Sequence, residues 1–213
     1  MRVRISRVHH PVTVLGPGRR FGVWFQGCSI GCAGCIAHDT WDPERGTDTT
    51  VAEVLDVLVE RCPDGVDGVT ISGGEPFEQP EALAALIDGV RDHAAATGRE
   101  TDVMVYSGMT LERLESDHAD VVARIDVLVP EPYRPSDGAG GVWRGSANQP
   151  LLLRTPLARA RFRDLPEEDR RLQVEVVDGR VWLIGVPRPG DAEELARRLR
   201  AQGLAVEGAS WRP

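Results

Sequence analysis

The chain has 213 residues, of which 41% are apolar and 27% charged, and it carries a formal net charge of −8. A chain of this length can bury one sizeable core, and its acidic excess disfavours an extended nucleic-acid interface, which needs clustered positive charge. No apolar run approaches the ~20 residues of a membrane-spanning helix, and the first residues contain no signal-like apolar stretch, so we expect a cytoplasmic protein without a membrane segment.

The predicted elements alternate between strands and helices along the first part of the chain. Strands are predicted over residues 20–28, 68–74, 101–108 and 125–130, and helices over 48–62, 80–98 and 110–125. The first helix has apolar residues at helical spacing and begins near Asp48, with Asp or Thr as its N-cap. Such alternation predicts an α/β fold with a mostly parallel sheet, whose functional loops follow the carboxyl ends of the strands.

Beyond the last of these strands the composition changes. Residues 130–149 are rich in Pro, Gly and Ser, and this segment is long enough to be a functional loop. Residues 171–187 then predict a hairpin that turns at Asp178-Gly179, followed by a helix over 191–202 and a strand over 204–211. We therefore expect a core domain of residues 1–154 and a C-terminal ββαβ accessory element of residues 155–213.

Three of the four cysteines are clustered in the sequence CSIGCAGC. Cys28 ends the predicted strand over 20–28, and Cys32 and Cys35 follow it, whereas Cys62 stands alone near a helix end. Clustered thiols in this context favour a metal site over a disulfide framework. One alternative is a zinc site completed by His38, which would make the chain a zinc-stabilised binding module. The other is a [4Fe-4S] cluster with three protein ligands, which leaves one iron open to another ligand.

A second motif, ISGGEP, ends the next predicted strand. At Gly73 and Gly74 the backbone can approach a small ligand without interference from side chains, and Glu75 adds a carboxylate at the same place. Taken alone, this motif is typical of any turn that follows a strand. It becomes specific because it lies at the carboxyl end of the strand that follows CxxxCxxC in the same β/α series.

The two motifs together resemble those of the radical S-adenosylmethionine (SAM) enzymes. Over roughly residues 9–154 the chain resembles the activating enzymes of anaerobic ribonucleotide reductase. The segments that carry this resemblance are GPGRR, FQGCSIGCAGC, DTWD, GVTISGGEP, YSGMTLERL, IDVLV and VWRGSANQ. The resemblance implies a small incomplete (βα) barrel of radical SAM type, to which the predicted ββαβ appendage is added.

The resemblance also implies the residues of a cofactor site. Cys28, Cys32 and Cys35 would bind a [4Fe-4S] cluster, and the amine and carboxylate of SAM would bind the open iron. The other implied SAM contacts are the backbone around Gly34 and Ile36, then Gly73, Gly74 and Glu75 on the amine side, and Ser107 on the ribose or carboxylate. Four residues of the long loop would contact SAM or a partner: Arg144, Ser146, Asn148 and Gln149. No catalytic side chain beyond the cluster and SAM is implied.

The implied reaction is the reductive cleavage of SAM. A flavodoxin or ferredoxin-like reductant would supply one electron, and the products would be methionine and a 5′-deoxyadenosyl radical that abstracts a hydrogen. In the activating enzymes this hydrogen comes from a glycine of a glycyl-radical partner protein. The chain departs from the family at Ile36-Ala37-His38 and at Pro130-Glu131-Pro132. Radical SAM modification of a peptide or small molecule is therefore an alternative.

Overall fold

The computed structural model describes residues 1–164, 170–177, 180–188 and 190–203. The strands of its central sheet are β1 (Arg2–Val12), β2 (Arg20–Phe25), β3 (Thr47–Thr50), β4 (Gly68–Gly73), β5 (Asp102–Tyr106), β6 (Val127–Val129) and β7 (Leu152–Leu153). Their order across the sheet is β3-β1-β2-β4-β5-β6-β7. Strands β2, β4, β5 and β6 are parallel neighbours. Strands β1, β3 and β7 are antiparallel to their neighbours. The predicted α/β class with a parallel centre to its sheet is confirmed.

Helices cover one face of this sheet. Within the described ranges the α-helices are α1 (Val51–Arg61), α2 (Pro80–Thr97), α3 (Leu111–Asp117), α4 (Ala119–Val122), α5 (Pro156–Arg161) and α6 (Asp191–Ala201). Apolar residues of α1 and α2, such as Leu58 and Leu83, pack in one cluster with Ile71 and Val105 of the parallel strands. None of the described helices has both the length and the apolar character needed to cross a membrane.

The opposite face of the sheet is covered by later parts of the chain. Met104 and Val127 of the sheet pack there with Phe162, which follows α5. Side chains of a strand alternate between its two faces, so Val103 and Val105 lie on the helical side while Met104 lies on this one. The parallel strands are therefore buried on both faces, as their continuous apolar runs predict.

Three strands of the central sheet, β1, β3 and β7, are missing from the sequence prediction. In β1, Val3 and Ile5 are buried while the arginines between and before them are more exposed. The basic and histidine residues interrupt any apolar run, so this half-buried strand is recognised only by its alternation. Strand β3 is short and polar, and it forms by pairing with β1. A strand stabilised mainly by such pairing has no apolar pattern from which its sequence could predict it.

The N-cap of α1 is a threonine, one of the two predicted cap types. Asp48 lies inside β3, and the N-cap is Thr50, whose side chain accepts a hydrogen bond from the backbone N–H of Glu53. The Glu53 carboxylate in turn accepts the N–H of Thr50, which completes a capping box. The N-cap is therefore Thr50 and not Asp48, because Asp48 lies in β3, where it pairs with β1.

The single helix predicted over residues 110–125 is divided in two. Helix α3 ends at Asp117, and His118, with φ of −135°, separates it from α4. Ser, Asp and His have low helix propensity, so the sequence SDH is a weak point in the helical pattern. The apolar residues on both sides remain buried, among them Leu114 and Val122.

The C-terminal part contains a hairpin of β8 (Leu172–Val177) and β9 (Arg180–Gly185), followed by α6. The hairpin contacts β1, since the Gln173 side chain donates to the carbonyl of Pro11 at 2.7 Å. Ile184 packs with Val12 and Trp24. The predicted turn at Asp178-Gly179 and the predicted strand over 204–211 lie outside the described residues. The described residues contain two strands and a helix at the positions predicted for the hairpin and the following helix.

A buried ion pair joins the amino ends of β2 and β5. The guanidinium of Arg20 donates to Asp102 at 2.6 Å, and both side chains are fully buried. Arg161 of α5 also pairs with Asp102, at 2.9 Å. Thr70 accepts a further hydrogen bond from Arg20. This network holds α5 against the end of the sheet that lies away from the loops after the strands.

Replacing Arg20 with leucine should lower the free energy of unfolding by about 3 kcal/mol, because Asp102 would lose one of its two cations in a buried place. Denaturant unfolding of the purified protein measures this change. The control is Arg2→Leu, which removes an exposed pair with Asp48 and should change stability by less than about 1 kcal/mol. Equal losses in the two variants would contradict the importance of the buried network.

Candidate functional site

A cleft lies at the carboxyl edge of the parallel strands. Its empty volume is about 580 Å³, including space open to solvent. Its walls come from the segments that follow β2, β4, β5 and β6. The lining residues are Cys28, Ile30, Cys32, Cys35, Trp41, Ser72, Gly73, Gly74, Glu75, Tyr106, Ser107, Gly108, Glu131, Tyr133 and Gln149. This is the edge at which ligands bind in open parallel sheets.

The loop that carries the cysteines begins three residues after β2 and is fixed at its base by backbone hydrogen bonds. The N–H of Gly27 donates to the carbonyl of Thr40 at 2.8 Å, and the N–H of Cys28 donates to the carbonyl of Trp41 at 3.0 Å. Within the loop, the N–H of Cys35 donates to the carbonyl of Cys32 at 3.1 Å. These bonds close the loop on itself, so that all three thiols line one cleft.

The thiols suit a cluster of several irons. Burial raises the pKa of Cys28 and Cys32, and the nearby Glu75 carboxylate raises both further. Binding to iron would therefore release protons, as expected when thiols become thiolate ligands. Three soft sulfur donors on one short loop match the ligand set of an iron-sulfur cluster with one position left for another ligand.

His38, the fourth ligand of the zinc alternative, packs against an aromatic neighbour. Its ring centroid lies 4.4 Å from that of Trp41. Across the described part of the chain, the structure contains no group of three or more His, Cys, Asp or Glu side chains gathered as ligands of a single metal ion.

Gly73 and Gly74 pack directly against the base of the cysteine loop. Gly73 has φ of +107°, and the N–H of Gly74 donates to the carbonyl of Phe25. A Cβ on Gly74 would lie 2.0 Å from the carbonyl oxygen of Gly27. The two glycines therefore allow the ends of β2 and β4 to approach each other closely. The sequence predicts only that the backbone here can approach a small ligand; the packing of these glycines against the cysteine loop is seen only in the structure.

Glu75 connects the end of β4 to the end of β5. Its carboxylate is fully buried and accepts hydrogen bonds from the N–H of Gly108 at 2.7 Å, the hydroxyl of Ser107 at 2.9 Å and the N–H of Phe77 at 3.0 Å. Burial raises the pKa of Glu75 to about 7, since the loss of water outweighs these three hydrogen bonds. Ser107, which the resemblance implies only as a contact of the SAM ribose or carboxylate, lines the cleft beside Glu75.

Stability of the apo-protein should depend on pH through Glu75. The folded state binds the Glu75 proton more tightly than the unfolded state, so its stabilising contribution is present below about pH 4.5 and is lost as the pH rises to about 7. The loss should be about 3 kcal/mol. Denaturant unfolding at pH values across this range measures it.

Glu75→Gln cannot ionise and should flatten the profile, while the exposed control Glu81→Gln should leave it unchanged. An unchanged slope in Glu75→Gln would contradict the assignment.

The loop predicted to contact SAM or a partner is fastened mainly to the segment after β6. Gln149 lines the cleft, and its side chain donates to the carbonyl of Glu131. The Asn148 side chain donates to the carbonyl of Pro132, and the buried Ser146 hydroxyl accepts the N–H of Arg134. Arg144 donates to the carbonyl of Gln149. Of these four predicted residues, Gln149 is therefore the one on the cleft wall.

Gly34 and Ile36 lie on the cysteine loop but are not among the residues that line the cleft. A Cβ on Gly34 would lie 3.6 Å from the ring of Tyr133. Gly34 has φ of +75°, which glycine adopts without strain, so the loop can turn between Cys32 and Cys35.

Several cleft residues are absent from the sequence prediction. Tyr106 ends β5, and its hydroxyl donates to the carbonyl of Trp143 at 2.9 Å. Glu131 has φ of +84°, and its carboxylate accepts the N–H of Leu111 at the start of α3. The remaining unpredicted lining residues are Ile30, Trp41, Ser72, Gly108 and Tyr133. Their position in the sequence was the signal that could have identified some of them. Tyr106, Gly108 and Glu131 lie at or just after the carboxyl ends of predicted parallel strands, where functional loops are expected.

Comparison with known proteins gives consistent matches. Residues 14–152 match the family described as 4Fe-4S single cluster domain. The chain is 30% identical over 150 residues to the anaerobic ribonucleoside-triphosphate reductase-activating protein of Vibrio cholerae serotype O1, with 66% of this chain and 92% of that protein covered. It is 36% identical over 101 residues to the pyruvate formate-lyase-activating enzyme of Clostridium pasteurianum, with 46% and 42% covered.

Among solved structures, the crystal structure of QueE from Escherichia coli aligns with 63% of this chain and 73% of that chain, with a TM-score of 0.42 and 16% sequence identity. The family match ends at residue 152. The β8–β9 hairpin and α6 lie beyond it.

Proposed function

Because the chain belongs to the family of 4Fe-4S single cluster domains and is similar to an anaerobic ribonucleoside-triphosphate reductase-activating protein, we propose that it is a radical SAM enzyme that activates a glycyl-radical partner. Anaerobic ribonucleotide reductase is the partner we propose first. One observation carries the proposal: the three thiols of CxxxCxxC and the residues of the GGE motif line the same cleft.

We assign the cluster ligands to Cys28, Cys32 and Cys35, with SAM on the iron that has no protein ligand. When bound, the cluster supplies one electron for reductive cleavage of SAM, which produces the radical that takes hydrogen from the partner's glycine. The chain's own contribution is to hold the thiols at fixed positions. The hydrogen bonds of Gly27 and Cys28 to the segment after the loop supply this rigidity.

The residues that end β4 and β5 would form the SAM side of the cleft. We propose that Gly73, Gly74 and Glu75 lie next to the amine of SAM and that Ser107 lies near its ribose or carboxylate. Glu75 is already held by three donors, so it is oriented before any ligand binds. A prearranged carboxylate avoids the entropy cost of being ordered when an ammonium group arrives. Backbone groups at Gly34 and Ile36 would complete the contacts.

The long loop would border the opening towards the partner. Gln149 lies on the cleft wall, while Arg144, Ser146 and Asn148 hold the loop in place through hydrogen bonds. In this proposal residues 1–154 form a small incomplete barrel of radical SAM type, and the parallel strands are its centre. Residues 155–213 form an accessory element. A flavodoxin or ferredoxin-like protein would supply the electron, in the cytoplasm, and nucleic acid takes no part.

Anaerobic reconstitution tests this function. The reconstituted protein should bind about four irons per chain and, with reductant and SAM, should form 5′-deoxyadenosine. Addition of anaerobic ribonucleotide reductase should then produce a glycyl radical that electron paramagnetic resonance (EPR) detects. Cleavage of SAM without a radical on the reductase would favour a peptide or small molecule as the substrate. A colourless protein with one zinc would overturn the proposal in favour of a zinc-stabilised binding module.

A further inference from the structure

Glu78 contacts the cysteine loop, although it belongs to neither the CxxxCxxC motif nor the ISGGEP motif. It ends the short 3-10 helix Pro76–Glu78, which directly follows the GGE motif. One oxygen of its carboxylate, Oε1, accepts the backbone N–H of Ser29 at 2.8 Å and the hydroxyl of Ser29 at 2.6 Å. Ser29 is the residue next to Cys28, so this carboxylate holds the chain between the first two cysteines.

The segment between Cys28 and Cys32 needs such a contact. Its base is fixed by the bonds of Gly27 and Cys28, but Ser29 and Gly31 are exposed. A Cβ on Gly31 would meet no atom within 4 Å, so this part of the turn is loosely packed. Two hydrogen bonds to one charged acceptor fix both the backbone and the side chain of Ser29. They also link the turn to the 3-10 helix Pro76–Glu78, for which Glu75 is the N-cap.

We propose that Glu78 is a positioning residue for the iron-sulfur cluster. Its carboxylate holds the turn between Cys28 and Cys32 through Ser29. The inference rests on the proposed function, because it requires that the loop bind a cluster. Glu78 acts through Ser29 on the first two ligands. Outer residues that orient metal ligands commonly change metal affinity by about 10-fold to 100-fold when they are removed. The bond is exposed, so its contribution to the stability of the whole fold should be small.

The test compares Glu78→Ala with Glu78→Gln, which keeps an acceptor oxygen for Ser29. The control is Glu81→Ala, which removes an exposed carboxylate three residues further along the chain. Each protein is reconstituted anaerobically and then challenged with an iron chelator. Glu78→Ala should lose iron about 10-fold faster than the wild type, and Glu78→Gln and Glu81→Ala should stay within about twofold of it. All four apo-proteins should unfold at similar denaturant concentrations.

The cluster itself supplies a second readout. Adding SAM to the reduced wild-type cluster should change its EPR signal, and this change should be weakened in Glu78→Ala and restored in Glu78→Gln. Iron loss from Glu78→Ala at the wild-type rate would overturn the inference and leave the proposed function intact. Equal acceleration in Glu78→Ala and Glu78→Gln would also overturn it. A wild-type protein that takes up no cluster would overturn the proposed function itself, and this inference with it.

Discussion

Replacing Cys32 with alanine is expected to abolish cluster binding and all cleavage of SAM. Cys32 is the middle thiol of the three that line the cleft, and its loss would leave two sulfur donors for a cluster that needs three. The backbone turn from Cys32 to Cys35 would remain, so the protein should still fold. Iron content, iron-sulfur absorbance and the yield of 5′-deoxyadenosine, measured after anaerobic reconstitution, should all fall to background.

The matched control is Cys62→Ala, the same substitution at the fourth cysteine. Cys62 is buried at the end of α1, away from the cleft, and its backbone carbonyl accepts a hydrogen bond from His93. The variant should keep the full iron content and lose about 1 kcal/mol of stability or less, as for the loss of a small buried group. The ligand assignment would be wrong if Cys32→Ala kept full deoxyadenosine production.

Replacing Gly74 with alanine should displace the cysteine loop and remove most of the cluster. The added Cβ would lie 2.0 Å from the carbonyl oxygen of Gly27 and 2.9 Å from that of Thr40. Both obstacles are backbone atoms, so no side chain can turn aside to make room. The loss of stability should be about 3 kcal/mol or more, at the upper end for overpacking. Denaturant unfolding and iron content after reconstitution measure the two effects.

Gly98→Ala is the control for this substitution. Gly98 is the left-handed C-cap of α2, with φ of +65°, and a Cβ there would contact nothing within 4 Å. The variant should lose about 1 kcal/mol from backbone strain alone and keep its cluster. If Gly74→Ala behaved like Gly98→Ala, the close approach of β4 to the loop would not matter for the site.

Much of the candidate site follows from local sequence. The spacing of Cys28, Cys32 and Cys35 specifies three sulfur donors on one turn, whatever surrounds them. The apolar runs separated by amphipathic helices predict parallel strands, and their carboxyl ends predict where the cleft lies. The GGE motif and Ser107 end two of these strands, so the chain order alone brings them to the same edge.

The parts that sequence reasoning misses depend on partners far away in the chain. Strand β3 forms because β1 offers it a pairing edge, and its own residues carry no apolar pattern. Glu131 and Tyr133 reach the cleft because the chain turns back after β6, at a residue with positive φ that is not glycine. The positive φ of Glu131 has no signal in the sequence, because glycine is the residue that usually adopts it, so only the position of Glu131 after a predicted strand pointed to the cleft.

The sequence by itself determined the three clustered thiols, their spacing and the order of most strands and helices, because these depend on side-chain chemistry and on periodicities within a few residues. Only the tertiary structure decided that Gly74 packs against Gly27, that Glu75 bridges two strand ends, and that Glu78 holds Ser29. These contacts depend on the register and separation of neighbouring strands. Distances between residues far apart in the chain are set by the packing of the whole sheet and its helices, which no short stretch of sequence contains.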